Sequence, residues 1–109
     1  MSESIPGFEC TLRDEGEAVR VVAAGELDAG TADLLAGRVE AALERSPRRL
    51  VLDLRELTFM ASAGLRLVLR LVERAERDGF ELGVVPGPEQ VRRVFELTHT
   101  DARIPWVEE

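Results

Sequence analysis

The sequence predicts an α/β fold: a small mixed β-sheet in the order β-β-α-β-α-β-α, with a terminal strand left open, and helices packed on it. Three observations carry this. Two segments of alternating polar and apolar residues are joined by a short turn, the pattern of an antiparallel hairpin. A run at 50–54, LVLDL, is apolar at all but one position, as in a strand covered on both faces. Helical and strand periodicities then alternate along the chain, which pairs the later strands in parallel through right-handed crossovers.

The elements follow in order. FECTLRD (8–14) alternates Phe8, Cys10 and Leu12 with polar residues, the period of a half-buried strand. DEGE (14–17) turns the chain into a second strand, AVRVVAAG (18–25). In GELDAGTADLLAGRVEAALER (25–45), Leu34, Leu35, Val39, Ala42 and Leu43 share one helical face. Asp28 or Thr31 is placed to cap its start, and Pro47 ends it. After the strand at 50–54, a helix runs from about Ser62 to Asp78, with Gly79 at the position that closes helices in a left-handed turn. FELGVV (80–85) alternates again. GPEQVRRVFELT (87–98) places proline in its first turn and gathers Val91, Val94 and Phe95, which makes a third helix. RIPWV (103–107) is a short terminal strand or an irregular tail, and Pro105 argues against an interior strand.

At 109 residues the chain suits a single domain, 1–109, and neither repeats nor linkers divide it. Its 45% apolar and 32% charged residues are an ordinary globular composition. No apolar run approaches the roughly 20 residues that cross a bilayer, and MSESIPGFE lacks the basic and apolar regions of a secretory signal. One cysteine, Cys10, leaves no internal disulfide and suits a reducing cytoplasm, the expected location. The net charge of −7 disfavours nucleic acid and anionic lipid surfaces, both of which reward positive charge. All 14 basic residues are arginine, so lysine-dependent chemistry is excluded, including Schiff bases and the phosphate-binding P-loop. With one histidine and no tyrosine, acid–base groups are few, and neither an enzyme, a cofactor nor a metal site is expected.

On the helix after Ser62, Leu65, Leu67, Val68, Leu69, Leu71, Val72 and Ala75 occupy more than half the circumference. Arg66, Arg70, Glu73, Arg74 and Arg77 fill the rest, with Glu73 and Arg77 at the stabilising i, i+4 spacing. An ordinary surface helix needs a narrower apolar arc. The excess either packs on a neighbouring helix or is a flank left for a partner; the arginine row is a solvated face or a binding patch.

FMASAGLRL (59–67) sets one hydroxyl, Ser62, among the small residues Ala61, Ala63 and Gly64. Three readings compete. Serine is a favoured N-cap at a strand-to-helix junction, although Leu65 denies it a capping box. MASAG also lies one residue from G-x-S-x-G, the nucleophile motif of a strained strand-to-helix turn. Met60 stands where that motif needs a small residue, and His99, with Asp101 or Asp28, is the sole source of a triad. The third reading is a modification site. Small neighbours open the serine to a kinase, and a phosphate at a helix start is compatible with the fold while adding about −1.5 to −2 charges. Such a switch acts on a partner rather than on folding.

LVLDLRELTFMASAGLRLVLRL resembles the signature of STAS domains, named for sulfate transporters and anti-sigma factor antagonists, in which a buried strand leads through phenylalanine into D-S-x-G-L. GELDAGTADLL resembles the second signature of that family, a G-E-L-D turn, and the likeness spans about residues 8–108. The resemblance implies a STAS-like fold and, for a free-standing chain of this size, an anti-sigma factor antagonist. It implies binding to an anti-sigma factor that is also a serine kinase, release of a sigma factor, phosphorylation of Ser62, and resetting by a serine phosphatase. The matching positions are Ser62 as acceptor, with Asp28, Ala61, Ala63, Gly64 and Arg66 as the partner-binding surface, on a monomer or weak dimer. Two positions depart from the family pattern: Ala61 replaces the usual aspartate, and Ala63 replaces a second hydroxyl, which leaves Thr58 upstream as the nearest other acceptor. An alternative within the same resemblance is an unphosphorylated accessory subunit of a lipid- or solute-transport ATPase. Asp28 has a simpler role open to it as well, capping the first helix.

Overall fold

The computed structural model describes residues 2–109, so that Met1 of the predicted domain lies outside the described residues. Strands β1 (Ser2–Ile5), β2 (Phe8–Glu15) and β3 (Ala18–Leu27) lead into α1 (Ala32–Leu43). The chain continues through β4 (Arg49–Met60), α2 (Ser62–Asp78), β5 (Glu81–Val85) and α3 (Glu89–Leu97) to a short 3-10 turn at Asp101–Arg103. The five strands form one sheet in sequence order. The β1–β2 and β2–β3 pairs are antiparallel, and the β3–β4 and β4–β5 pairs are parallel.

The mixed sheet is the expected one, with one correction and one open alternative settled at its ends. The first is β1, which sequence reading left unassigned. All four of its residues are exposed, so it shows no alternation, and it is held by ladder pairing from Ser2↔Thr11 to Ile5↔Phe8. The turn behind it presses on β3: a Cβ on Gly25 would lie 2.1 Å from the Gly7 carbonyl oxygen, so only glycine fits there. The second concerns RIPWV, which forms no strand of the sheet. After the 3-10 turn it makes one parallel bridge, Val84↔Trp106, because Pro105 has no N–H to extend a ladder.

Alternate residues of the strands share one core with the helices. Phe8, Cys10 and Leu12 of β2 are continued across the sheet by Val19, Val21 and Ala23, then Leu50, Leu52 and Leu54, then Leu82 and Val84. Against this face lie Leu35, Val39 and Ala42 of α1, Leu65, Val68, Leu71 and Val72 of α2, and Val91 and Phe95 of α3. The wide apolar arc of α2 follows from its position, since it touches α1 on one side and α3 on the other. It ends at Gly79, in the left-handed conformation (φ 81°). In α3 the proline stands one position earlier than expected: Pro88 is the N-cap and the helix starts at Glu89.

The other face of LVLDL is also buried, with one charge in it. Val51 and Asp53 lie between Arg20 and Val22 of β3 and Gly83 and Val85 of β5. Arg20 reaches Asp53 at 2.9 Å, Glu15 at 2.9 Å and the terminal Glu109 at 2.5 Å. Arg55 adds a 2.7 Å bond to the same Asp53 oxygen that accepts from Arg20. Paired in this way, a carboxylate survives burial that would otherwise be costly.

The strand-to-helix junction at Ser62

β4 runs well beyond the predicted 50–54, as far as Met60. Two register shifts against β3, between Val22 and Ala24 and between Gly25 and Glu26, each put an extra residue into β4 and twist its far half. The ladder still closes on Glu26↔Phe59 and Leu27↔Met60, and the Ala61 N–H then donates to the Leu27 carbonyl at 2.8 Å. The β3–α1 turn, residues 28–31, is thereby fixed beside residues 61–64.

That turn is built by Asp28 and Thr31. One Asp28 carboxylate oxygen accepts the N–H of Gly30 at 2.9 Å and of Thr31 at 3.1 Å. Thr31 returns the contact: its hydroxyl oxygen accepts the Asp28 N–H at 2.9 Å and donates to the Glu26 carbonyl at 2.8 Å. Thr31 holds the N-cap position, but neither expected cap reaches a helical N–H: both side chains build the turn instead, and α1 begins only at Ala32. Asp28 is half-buried, and its side chain makes no hydrogen bond to Ser62 among the described residues.

Ser62 is the first residue of α2 and is exposed. The N-cap position belongs to Ala61, whose extended backbone (φ −93°, ψ 176°) offers its carbonyl to the N–H groups of Gly64 at 3.0 Å and Leu65 at 3.2 Å. No side chain caps the helix, and the Ser62 hydroxyl has no hydrogen-bond partner among the described residues. The cap expected of it is absent because the serine stands one residue too late. Behind it Gly64 is buried: a Cβ there would meet Leu27 at 2.7 Å and Met60 at 2.8 Å. Ala61 and Ala63 flank the hydroxyl half-buried, and Arg66 stands exposed one turn on.

The triad is not assembled. His99 is an exposed residue in a left-handed turn (φ 59°) after α3, and its side chain bonds to neither Ser62, Asp101 nor Asp28 among the described residues. Thr58 is exposed, and its carbonyl accepts from Gln90 of α3 at 3.4 Å. Cys10 is fully buried; burial outweighs the attraction of Arg38 and pushes its thiol up to about 12. Among the described residues no group of acids, histidine and cysteine is placed to hold a metal ion, and no helix is long and apolar enough to cross a membrane.

Sequence reading missed two features of this region. Phe59, next but two before the serine, is half exposed (50%) on the side of β4 away from Met60. A groove of about 460 Å³ also opens between α1 and α2, starting at Ala29 and Ala63 beside the junction. The spacing of Ala29, Ala32 and Ala36 is its sequence signal, since side chains this small leave the space between α1 and α2 unfilled.

The family profile described as "Mlab, STAS domain" matches residues 10–105. BtrV of Bordetella bronchiseptica, which carries the name of an anti-sigma factor antagonist, is 34% identical over 74 residues, or 68% of this chain. The chain covers 64% of the length of that relative. An anti-sigma factor antagonist from Mycobacterium paratuberculosis superposes with a TM-score of 0.83 at 30% identity, over 95% of this chain and 89% of the other. The anti-sigma factor antagonist SpoIIAA shares the fold at 20% identity. Its unphosphorylated form gives a TM-score of 0.75 over 92% of this chain and 87% of its own. Its phosphorylated form, from Bacillus, gives 0.70 over 92% and 90%. The chain belongs to the STAS domain family, and within that family it is similar to anti-sigma factor antagonists.

Proposed function

We propose that this protein antagonises an anti-sigma factor by docking on it through the Ser62 junction, and that phosphorylation of Ser62 by that same partner, a serine kinase, ends the complex. The observation that carries this is the state of Ser62: exposed, free of hydrogen bonds among the described residues, and flanked by alanines. A hydroxyl that does nothing for the fold is free to be modified without cost to it. A phosphate there would meet the positive end of α2 and would leave the β3–β4 ladder intact. To a partner seated on Asp28, Ala61, Ala63 and Arg66, with the expected contact Gly64 buried beneath them and so not part of the surface, it would bring bulk and about −1.5 to −2 charges into a desolvated contact. A serine phosphatase would reset the cycle.

The test is to incubate the protein with its kinase and ATP and to measure binding of wild type and Ser62→Asp. Phosphate on Ser62 by mass spectrometry, with binding lost in Ser62→Asp, is expected. An unmodified serine together with intact Ser62→Asp binding overturns the switch. One observation favours a second reading: Ala61 takes the place of the acid that the family pattern sets beside the serine. In that reading the same surface docks, unmodified, on a lipid- or solute-transport ATPase. Capture of such an ATPase by wild type and Ser62→Asp alike would decide for it.

A further inference from the structure

The groove between α1 and α2 has a floor of small and apolar side chains, Ala32, Ala36 and Val39 from α1 and Ala63, Leu67 and Leu71 from α2. Its two walls differ in charge. On the α2 side stand Arg66, Arg70 and Arg74, one helical turn apart. Arg74 is engaged by Glu40 and Asp78, which closes that end of the groove. Arg66 and Arg70 are exposed and have no ion pair among the described residues. Nine of the 14 arginines of this acidic chain are ion-paired among the described residues, and Arg66 and Arg70 are two unpaired ones that stand on the same wall of one groove. On the α1 side the open charge is Asp33.

We infer that this groove seats an amphipathic helix of a partner protein, with its apolar side on the alanine floor and a row of carboxylates along Arg66 and Arg70. Residues four apart on a helix rise about 6 Å. Two aligned helices therefore share this repeat, and carboxylates at i and i+4 of the occupant fall in step with Arg66 and Arg70. Small floor residues allow the close approach that helix-in-groove binding uses. Asp33 repels a second acidic edge, which fixes which side of the occupant faces α2. Since the groove begins at Ala63, next to Ser62, this deepens the docking proposed above, on which its biological partner rests.

The probes are two synthetic stapled helices about four turns long, leucine-faced, identical except for glutamates or lysines along one edge. Titration into the labelled protein, followed by amide NMR, is expected to move Ala32, Ala36, Ala63 and Leu67, with the glutamate helix binding at least about tenfold tighter. Arg66→Glu with Arg70→Glu should reverse the preference, and Ala36→Leu, which fills the floor, should abolish binding of both. Arg92→Glu with Arg93→Glu, on α3, should change nothing. Equal affinity, shifts outside the groove, or no binding of either helix overturns the inference. So does sedimentation as a dimer that Arg66→Glu dissolves, which would make a second copy the occupant. Lost charge preference with intact Ser62 phosphorylation sinks the groove alone; retained preference without phosphorylation sinks only the switch.

Discussion

The Ala61 N–H donates to the carbonyl of Leu27 at 2.8 Å, one step beyond the Leu27↔Met60 pair that ends the β3–β4 ladder. The junction is therefore held by backbone, and the serine that follows is left out of the holding. This divides the labour within five residues: Met60 and Gly64 pack, Ala61 closes the ladder and caps α2, and Ser62 faces water.

If backbone holds the junction, removing the Ser62 hydroxyl should leave stability unchanged. Ser62→Ala is expected to shift the unfolding free energy by no more than about 0.5 kcal/mol. A true N-cap serine would lose about 1 kcal/mol on the same change. Urea denaturation at constant slope distinguishes the two.

Gly64→Ala should behave in the opposite way. Alanine favours a helix interior by about 1 kcal/mol over glycine, but here the new methyl would lie 2.7 Å from Leu27 and 2.8 Å from Met60, both buried. Overpacking of this kind costs about 1–3 kcal/mol, so a net loss of about 1 kcal/mol is expected. A rise in stability by thermal unfolding would mean that Leu27 yields freely.

Much of the frame was legible in the sequence because burial and period agree there. β2 alternates, LVLDL is apolar at all but Asp53, and α2 has both its length and its Gly79 stop written into it. β1 was not legible, since SESI buries nothing and is ordered only by its partner strand. The long second half of β4 was hidden for a related reason: its two bulges break the alternation that marks a strand. At the site, the small residues around Ser62 could be read, but the one-residue offset that hands the cap to Ala61 could not, because propensity favours serine there. Likewise, Asp28 reads equally as a cap or as a partner contact, and its bonds to Gly30 and Thr31 show a turn-building role that neither reading had named.

Cys10 should be silent toward thiol reagents in the folded protein. Its side chain is fully buried and its thiol is pushed up to about 12, so almost no thiolate exists at pH 8. Alkylation by iodoacetamide, followed by mass spectrometry, is expected to run at the rate of unfolding and to accelerate with urea. Rapid labelling of native protein would contradict this packing.

The acid limb of stability should belong in large part to Asp53. Burial alone would raise its carboxyl, but hydrogen bonds from the Arg55 side chain and backbone and from Arg20 outweigh this and hold it below the ordinary value. Glu109 is lowered too, chiefly by its hydrogen bond to Arg20. A depressed native pKa means that the unfolded chain takes up protons first as pH falls. The stabilisation is complete above the ordinary carboxylate range, about pH 4, and is lost as pH drops through the depressed native value. Denaturation curves between neutral pH and pH 2 should therefore steepen below about pH 4. Asp53→Asn should flatten that limb while lowering stability at neutral pH. Asp53→Ala, which leaves Arg20 with only Glu15 and Glu109 on a buried face, is expected to cost about 3 kcal/mol. An acid limb that survives Asp53→Asn unchanged would place the titrating groups elsewhere.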